Sequence, residues 1–168
     1  MKKKLKIYLD TSVINFLFSE QSPEKREITI DFFESFIKTE IYDTYISNVV
    51  IAEIEETKNE EKKLALLNVI LNYPIKYVDV SNSVEIVDLA NIYIEKNIIP
   101  KTKLADAFHI AISVINNIDI LISWNYKHLA NYNRKMKITS VNLMNNYIYP
   151  LDILTPMEVM DYDNDSKD

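Results

Sequence analysis

The sequence predicts an α/β sandwich in three layers, with helices on both faces of a five-stranded parallel sheet, and three observations carry that prediction. Short apolar runs alternate with longer stretches of helical periodicity from one end of the chain to the other. The first run, Ile7-Tyr8-Leu9, is apolar at consecutive positions, as in a central strand buried on both faces. It stops at a carboxylate, Asp10, followed by Thr11 and Ser12, and ligands in open α/β sheets bind at the carboxyl ends of strands. Burying an unpaired charge is costly unless it pairs, ligates a metal or reaches water, so Asp10 is the first candidate for chemistry. It is an equally good N-cap for the helix that follows.

The remaining elements follow in order. Val13 to Phe18 has the length of one or two helical turns. Ser22-Pro23 reads as an N-cap with proline at the first helical position, opening a helix with Ile28, Phe32, Phe33, Phe36 and Ile37 on one stripe. Tyr42 to Ser47 is the second strand, and Ser47 or Asn48 caps a helix running through Glu53 to about Thr57. A further helix with Leu64, Leu67 and Leu71 in register stops before Pro74. Ile75 to Val80 is the third strand, and Ser81 or Ser83 caps a helix with Ile86, Ala90 and Tyr93 on one side. Pro100 to Thr102 leads into a strongly apolar helix whose stripe is Ala105, Phe108, Ile112 and Ile115. Ile118 to Ser123 is the fourth strand, followed by a short helix through His128, and Ile138 to Val141 is expected as the fifth. Residues 1–148 then form one domain, and 149–168 a C-terminal extension packing over the surface and ending in an acidic tail.

Composition narrows the chemistry. The 168 residues suffice for a real core, and no apolar run approaches the roughly 20 residues a membrane helix needs. The absence of Cys rules out thiol catalysis and Cys-ligated zinc, and suits a reducing cytoplasm. The absence of Gly excludes the Walker phosphate loop, the dinucleotide fingerprint and the Gly-x-Ser-x-Gly elbow, all of which need a backbone without a side chain. Asn is expected to take the left-handed positions instead, at Asn97 and Asn116-Asn117. Net charge is −6, but without Glu158 to Asp168 the chain holds 20 acids against 18 bases. A polyanion would therefore be drawn by a local patch or a bound cation.

Three acids fall where a strand-end site would use them: Asp10 after the first strand, Glu53 one turn into the helix after the second, and Asp106 in the first turn of the apolar helix, where the dipole favours negative charge. Asp106, His109 and Ser113 share a flank of that helix. Asn125 follows the fourth strand as Asp10 follows the first. His109 reads as a packed residue orienting Asp106, His128 as structural, and Trp124 as core rather than a stacking platform for a base. Lys101, Lys103 and Lys127 lie near the expected mouth, and Arg134-Lys135-Met136-Lys137 is a small basic cluster; each is ordinarily solvated surface, and together they could hold a phosphate backbone.

Leu9-Asp10-Thr11-Ser12, the helical Glu53, Asp106-Ala107-Phe108-His109-Ile110-Ala111 and Ser123-Trp124-Asn125 with Lys127-His128-Leu129 together resemble the PIN-domain nucleases, and most of all their bacterial VapC-like toxin branch. The resemblance runs from about Lys6 to Asn145. It implies strand order 3-2-1-4-5, and cleavage of RNA dependent on a divalent metal, Mg²⁺ or Mn²⁺, held by Asp10, Glu53 and Asp106. It also implies an antitoxin partner and homodimerisation. Many members of that family have a further Asp where this chain has Asn125, which can ligate through its amide oxygen or hold a water.

The physics of such a cluster stands beside the resemblance. Carboxylates about 5 Å apart repel by roughly 3 kcal/mol per pair at an effective dielectric of 20, so three of them need a cation or must spread. Mg²⁺ and Mn²⁺ suit hard oxygen donors, and a bound ion can activate water for in-line attack on a phosphodiester. Thr11 and Ser12 fit as donors to phosphate or to the metal's surroundings, and as helix caps. Two other readings are a catalytically weak PIN-like module that binds RNA or protein, and an aspartyl-phosphate enzyme. The latter usually has a second acid two residues after the nucleophile, where this chain has Ser12.

Overall fold

A computed structural model of the chain describes residues 3–81, 83–125, 129 and 131–165. Five parallel strands form one sheet in the order β3-β2-β1-β4-β5: β1 (Lys6–Leu9), β2 (Asp43–Ile46), β3 (Ile75–Tyr77), β4 (Ile120–Ile122) and β5 (Asp152–Leu154). The helices between and around them are α1 (Thr11–Phe16), α2 (Pro23–Phe32), α3 (Asn48–Glu55), α4 (Glu60–Asn72), α5 (Ser83–Glu95), α6 (Leu104–Ile115), α7 (Tyr132–Met144) and α8 (Pro156–Asp165). The expected α/β class and strand order are the ones observed.

β1 sits at the centre, with Tyr8 opposite both Tyr45 and Leu121, and Leu9 opposite Ile122. Ile7, Tyr8 and Leu9 are fully buried, as consecutive apolar residues in a strand covered on both faces must be. From β1 the chain builds β2 and β3 on one side, then returns to add β4 and β5 on the other. The switch point lies at the carboxyl ends of β1 and β4, where Asp10 N–H donates to Ile122 O at 3.1 Å.

Four helical segments end in the same way without a glycine. Glu40, Asn97, Asn117 and Asn146 have φ between 50° and 65°. The residue after each donates its N–H to a carbonyl five residues back: Ile41 to Phe36, Ile98 to Tyr93, Ile118 to Ser113 and Tyr147 to Asn142. This is the Schellman closure, which needs a left-handed residue and normally takes Gly. Asn97 and Asn117 were expected there; Asn116 stays at φ −93° as the C-cap of α6.

Several expectations are corrected. Ile138 to Val141 is no strand: it lies inside α7, with Ile138, Val141 and Asn142 buried at helical spacing. Within it Thr139 and Ser140 donate their hydroxyls to the carbonyls of Lys135 and Met136, one helical turn back. The fifth strand is Asp152–Leu154, in the segment expected to pack over the surface; Ile153 and Val159 are buried and α8 packs on α2. In α4 the buried residues are Leu66, Val69 and Ile70, while Leu64 and Leu71 are exposed. In α6 they include Ala107, Ile110, Ala111 and Val114, so the face is turned from the expected stripe and only Ile112 belongs to both. The stripe of α2 continues as expected through a π-helical turn (Phe33–Ile37). The helix expected through His128 lies largely outside the described residues. No helix among the described residues is long and apolar enough to cross a membrane.

Candidate active site

The carboxyl end of β1 places Asp10 at the switch point as the N-cap of α1, 2% exposed. The reading of this residue as a helix cap holds. Its Oδ1 accepts from Val13 N–H at 3.3 Å and from the Ser12 hydroxyl at 2.5 Å, and its Oδ2 accepts from the Ser123 hydroxyl at 2.5 Å. Ser12 also accepts from Trp124 N–H at 3.0 Å, tying α1 to the end of β4. Burial, above all, lifts the Asp10 pKa above the ordinary carboxylate value; the electrostatic influence of His109, the two hydroxyls and the Val13 amide act against it.

Ser123 carries the network across to the third acid. Its Oγ accepts from Asn125 N–H at 2.9 Å, and the Asn125 side-chain amide donates to Asp106 Oδ2 at 3.0 Å. Asp106 stands in the first turn of α6, as expected. Its pKa is pushed up to about 6, first by burial and next by the negative charge of Asp10, with Glu53 adding to the effect. Lys103 acts in the opposite direction.

Glu53, on α3, is held from two sides. Its Oε1 accepts from the Thr11 hydroxyl at 2.7 Å and lies 2.7 Å from His109 Nε2. Burial works to raise its pKa, but the hydrogen bond and charge of His109, the Thr11 hydroxyl and Lys103 outweigh this and leave it below the ordinary value. His109 therefore orients Glu53, not Asp106 as expected. Its other ring nitrogen, Nδ1, lies 2.8 Å from Tyr8 Oη, which in turn lies 2.7 Å from Ser47 Oγ. Tyr8 and Ser47 were not among the expected site residues. The available signal was a tyrosine inside an apolar central strand, since a buried phenol needs a hydrogen-bond partner.

Asp10, Asn125 and Asp106 thus belong to one hydrogen-bonded path through Ser123, and Thr11 and Glu53 to a second that runs on through His109. Asp10 and Glu53 act electrostatically on Asp106, and among the described residues neither Asp10 nor Asp106 is ion-paired to Lys or Arg. Among the described residues no group of three or more His, Asp or Glu is placed so that it could hold a metal ion. The donor chemistry nonetheless fits a hard divalent cation. Every carboxylate and amide oxygen here is a hard donor, and among the described residues no hydrogen bond reaches Glu53 Oε2 or Asp106 Oδ1.

Around the cluster, Trp124 is core: it is buried, packs against Phe16 with ring centroids 5.8 Å apart, and donates Nε1–H to Thr29 Oγ1 at 2.9 Å. Lys101 and Lys103 are exposed in a 3-10 turn leading into α6. In α7, Lys135 is tied to Asp152 and to Ile153 O. Lys127 and His128 lie outside the described residues.

No family model and no curated protein matches this chain. Its structure is similar to the crystal structure of VapBC2 from Rickettsia felis bound to a DNA fragment from their promoter, with a TM-score of 0.55 and 15% sequence identity. The match covers 90% of this chain and 98% of the other. The chain has the fold that the resemblance to PIN-domain nucleases implies.

Proposed function

We propose that the chain is a divalent-metal-dependent endoribonuclease that hydrolyses RNA phosphodiesters and acts as the toxin of a toxin–antitoxin pair. One observation supports this reading: Asp10 and Glu53 both raise the charge cost of Asp106, with no Lys or Arg ion-paired to Asp10 or Asp106 among the described residues. Such a cluster is frustrated on its own and relieved by a cation. The shared fold with VapBC2 supports the reading, including a protein partner for this chain.

Asp10, Glu53 and Asp106 would hold Mg²⁺ or Mn²⁺, which when bound supplies Lewis-acid activation of a water and stabilises the leaving oxygen. Asp10 is the rigid member, fixed by Ser12, Val13 and Ser123. Asn125 orients Asp106, and Thr11 orients Glu53. Lys101, Lys103 and the basic residues of α7 draw the RNA backbone toward the cluster. Homodimerisation belongs to the same reading.

The test is cleavage of RNA by the purified chain with added Mg²⁺ or Mn²⁺. Activity is expected to disappear in EDTA and in both Asp10→Asn and Asp106→Asn; activity that survives both substitutions sinks the reading. A second reading, a catalytically weak module that binds RNA or protein, is favoured by Asn125 and by the lack of a closed group of three ligands among the described residues. Calorimetric titration separates the two, since no uptake of Mg²⁺ or Mn²⁺ at millimolar concentration selects the module.

A further inference from the structure

The buried path from Ser47 to Glu53 has a direction that the donors of each atom decide. Ser47 Oγ caps α3 by accepting from Val49 N–H at 3.2 Å. Tyr8 Oη lies between Ser47 Oγ at 2.7 Å and His109 Nδ1 at 2.8 Å, and His109 Nε2 lies 2.7 Å from Glu53 Oε1. An ionised carboxylate has no proton to give, so Nε2 carries the hydrogen. A phenol has one hydrogen and cannot satisfy both of its neighbours. If Tyr8 donates to a bare Nδ1, Ser47 donates to Tyr8 and every polar atom is answered. If the path runs the other way, the Ser47 hydrogen has no acceptor among the described residues, and Ser47 is fully buried. A buried donor without an acceptor is the costlier arrangement.

We propose that Ser47 and Tyr8 lock His109 in its Nε2–H tautomer, and that His109 is the positioning residue for Glu53. The inference rests on the reading of Glu53 as one of the working carboxylates of the cluster. Left alone, Glu53 would turn away: its side chain is 34% exposed, and it faces the charge of Asp106. The His109 ring and the Thr11 hydroxyl grip the same oxygen, Oε1, and keep Oε2 for a ligand. Both partners hold a single oxygen, so together they fix the position of the carboxylate.

Long-range ¹H–¹⁵N NMR on the full chain, free of metal, reads the tautomer. The His109 ring is expected to show a bare Nδ1 and a protonated Nε2, whether or not the chain cuts RNA. Tyr8→Phe removes the donor to Nδ1 and keeps the ring volume. It is expected to mix the His109 tautomers, shift the Glu53 carboxyl ¹³C resonance and weaken Mn²⁺ binding about tenfold, as removing a partner behind a metal ligand does. If Tyr8→Phe fails to fold, Ser47→Ala interrupts the same path from its far end and is read in the same way. A protonated Nδ1 in the wild-type chain overturns the inference. So does a Tyr8→Phe chain that keeps both the wild-type tautomer and the wild-type Glu53 resonance. A wild-type chain that takes up no Mn²⁺ overturns the nuclease reading instead, and the tautomer and the Glu53 resonance still decide this one.

Discussion

The side-chain amide of Asn125 lies 3.0 Å from Oδ2 of Asp106. A neutral donor therefore answers a carboxylate whose pKa the surroundings have already pushed up to about 6. Asn125→Asp would replace that donor with a second negative charge. The metal-free protein is predicted to lose about 1–3 kcal/mol, the cost of an unmade hydrogen bond to a charged group, and to recover part of it in millimolar Mn²⁺. Urea denaturation with and without Mn²⁺ checks this. Equal stability in EDTA would show that the Asn125–Asp106 contact contributes nothing.

The raised pKa of Asp106 gives a pH dependence with a definite sign. Between the unfolded value near 4 and the folded value of about 6, the folded chain binds the extra proton, so metal-free stability falls as pH rises through that window and is flat above it. Asp10, shifted in the same direction, adds to the fall. Glu53 is shifted the other way, and its contribution is lost only as the pH drops through its own lowered value. Asp106→Asn is predicted to flatten the curve between pH 4 and 6 in urea melts. Mn²⁺ affinity should rise over the same interval in the wild-type chain, because the ligand must be ionised.

Glu40 occupies a left-handed position at φ 56° with no local polar compensation of the kind Asn provides. Glu40→Gly is predicted to stabilise the protein by about 0.5–1 kcal/mol, even after the extra freedom glycine gives the unfolded chain. Thermal denaturation decides this, and a lower melting temperature would contradict it. Asn117→Ala, at φ 50°, should cost a similar amount.

Ile153 is 1% exposed on β5, the strand that closes the sheet beside β4. Ile153→Ala is predicted to destabilise the chain by about 2–5 kcal/mol through lost burial and the cavity left behind. A loss below about 0.5 kcal/mol in a urea melt would mean that β5 is not part of the cooperative unit.

What could be read from the sequence was whatever depends on local pattern. An apolar run halted by a carboxylate marks a strand end, so Asp10 and the central β1 were legible. The alternation of strands and helices gave the class of fold. Asn at the end of a helix is a cheap left-handed residue, and Asn97 and Asn117 are found in that role. Glu53 could be placed on the helix after the second strand and Asp106 in the first turn of the helix before the fourth, which sets both near the same edge of the sheet. Thr11 could be named, but its choice between phosphate and a neighbouring carboxylate could not.

Only the tertiary structure decided the rest, because each of those choices is a competition between partners far apart in the chain. Ile138 to Val141 has strand-like residues, yet tertiary packing overrides that preference and buries Ile138, Val141 and Asn142 at helical spacing in α7. Asp152–Leu154 is too short to signal a strand and becomes one because β4 offers it an open edge. His109 reaches Glu53 across 56 residues and Tyr8 across 101, and no local pattern encodes such a pairing. The residue types for the site were written in the chain; which oxygen each donor holds was settled by packing.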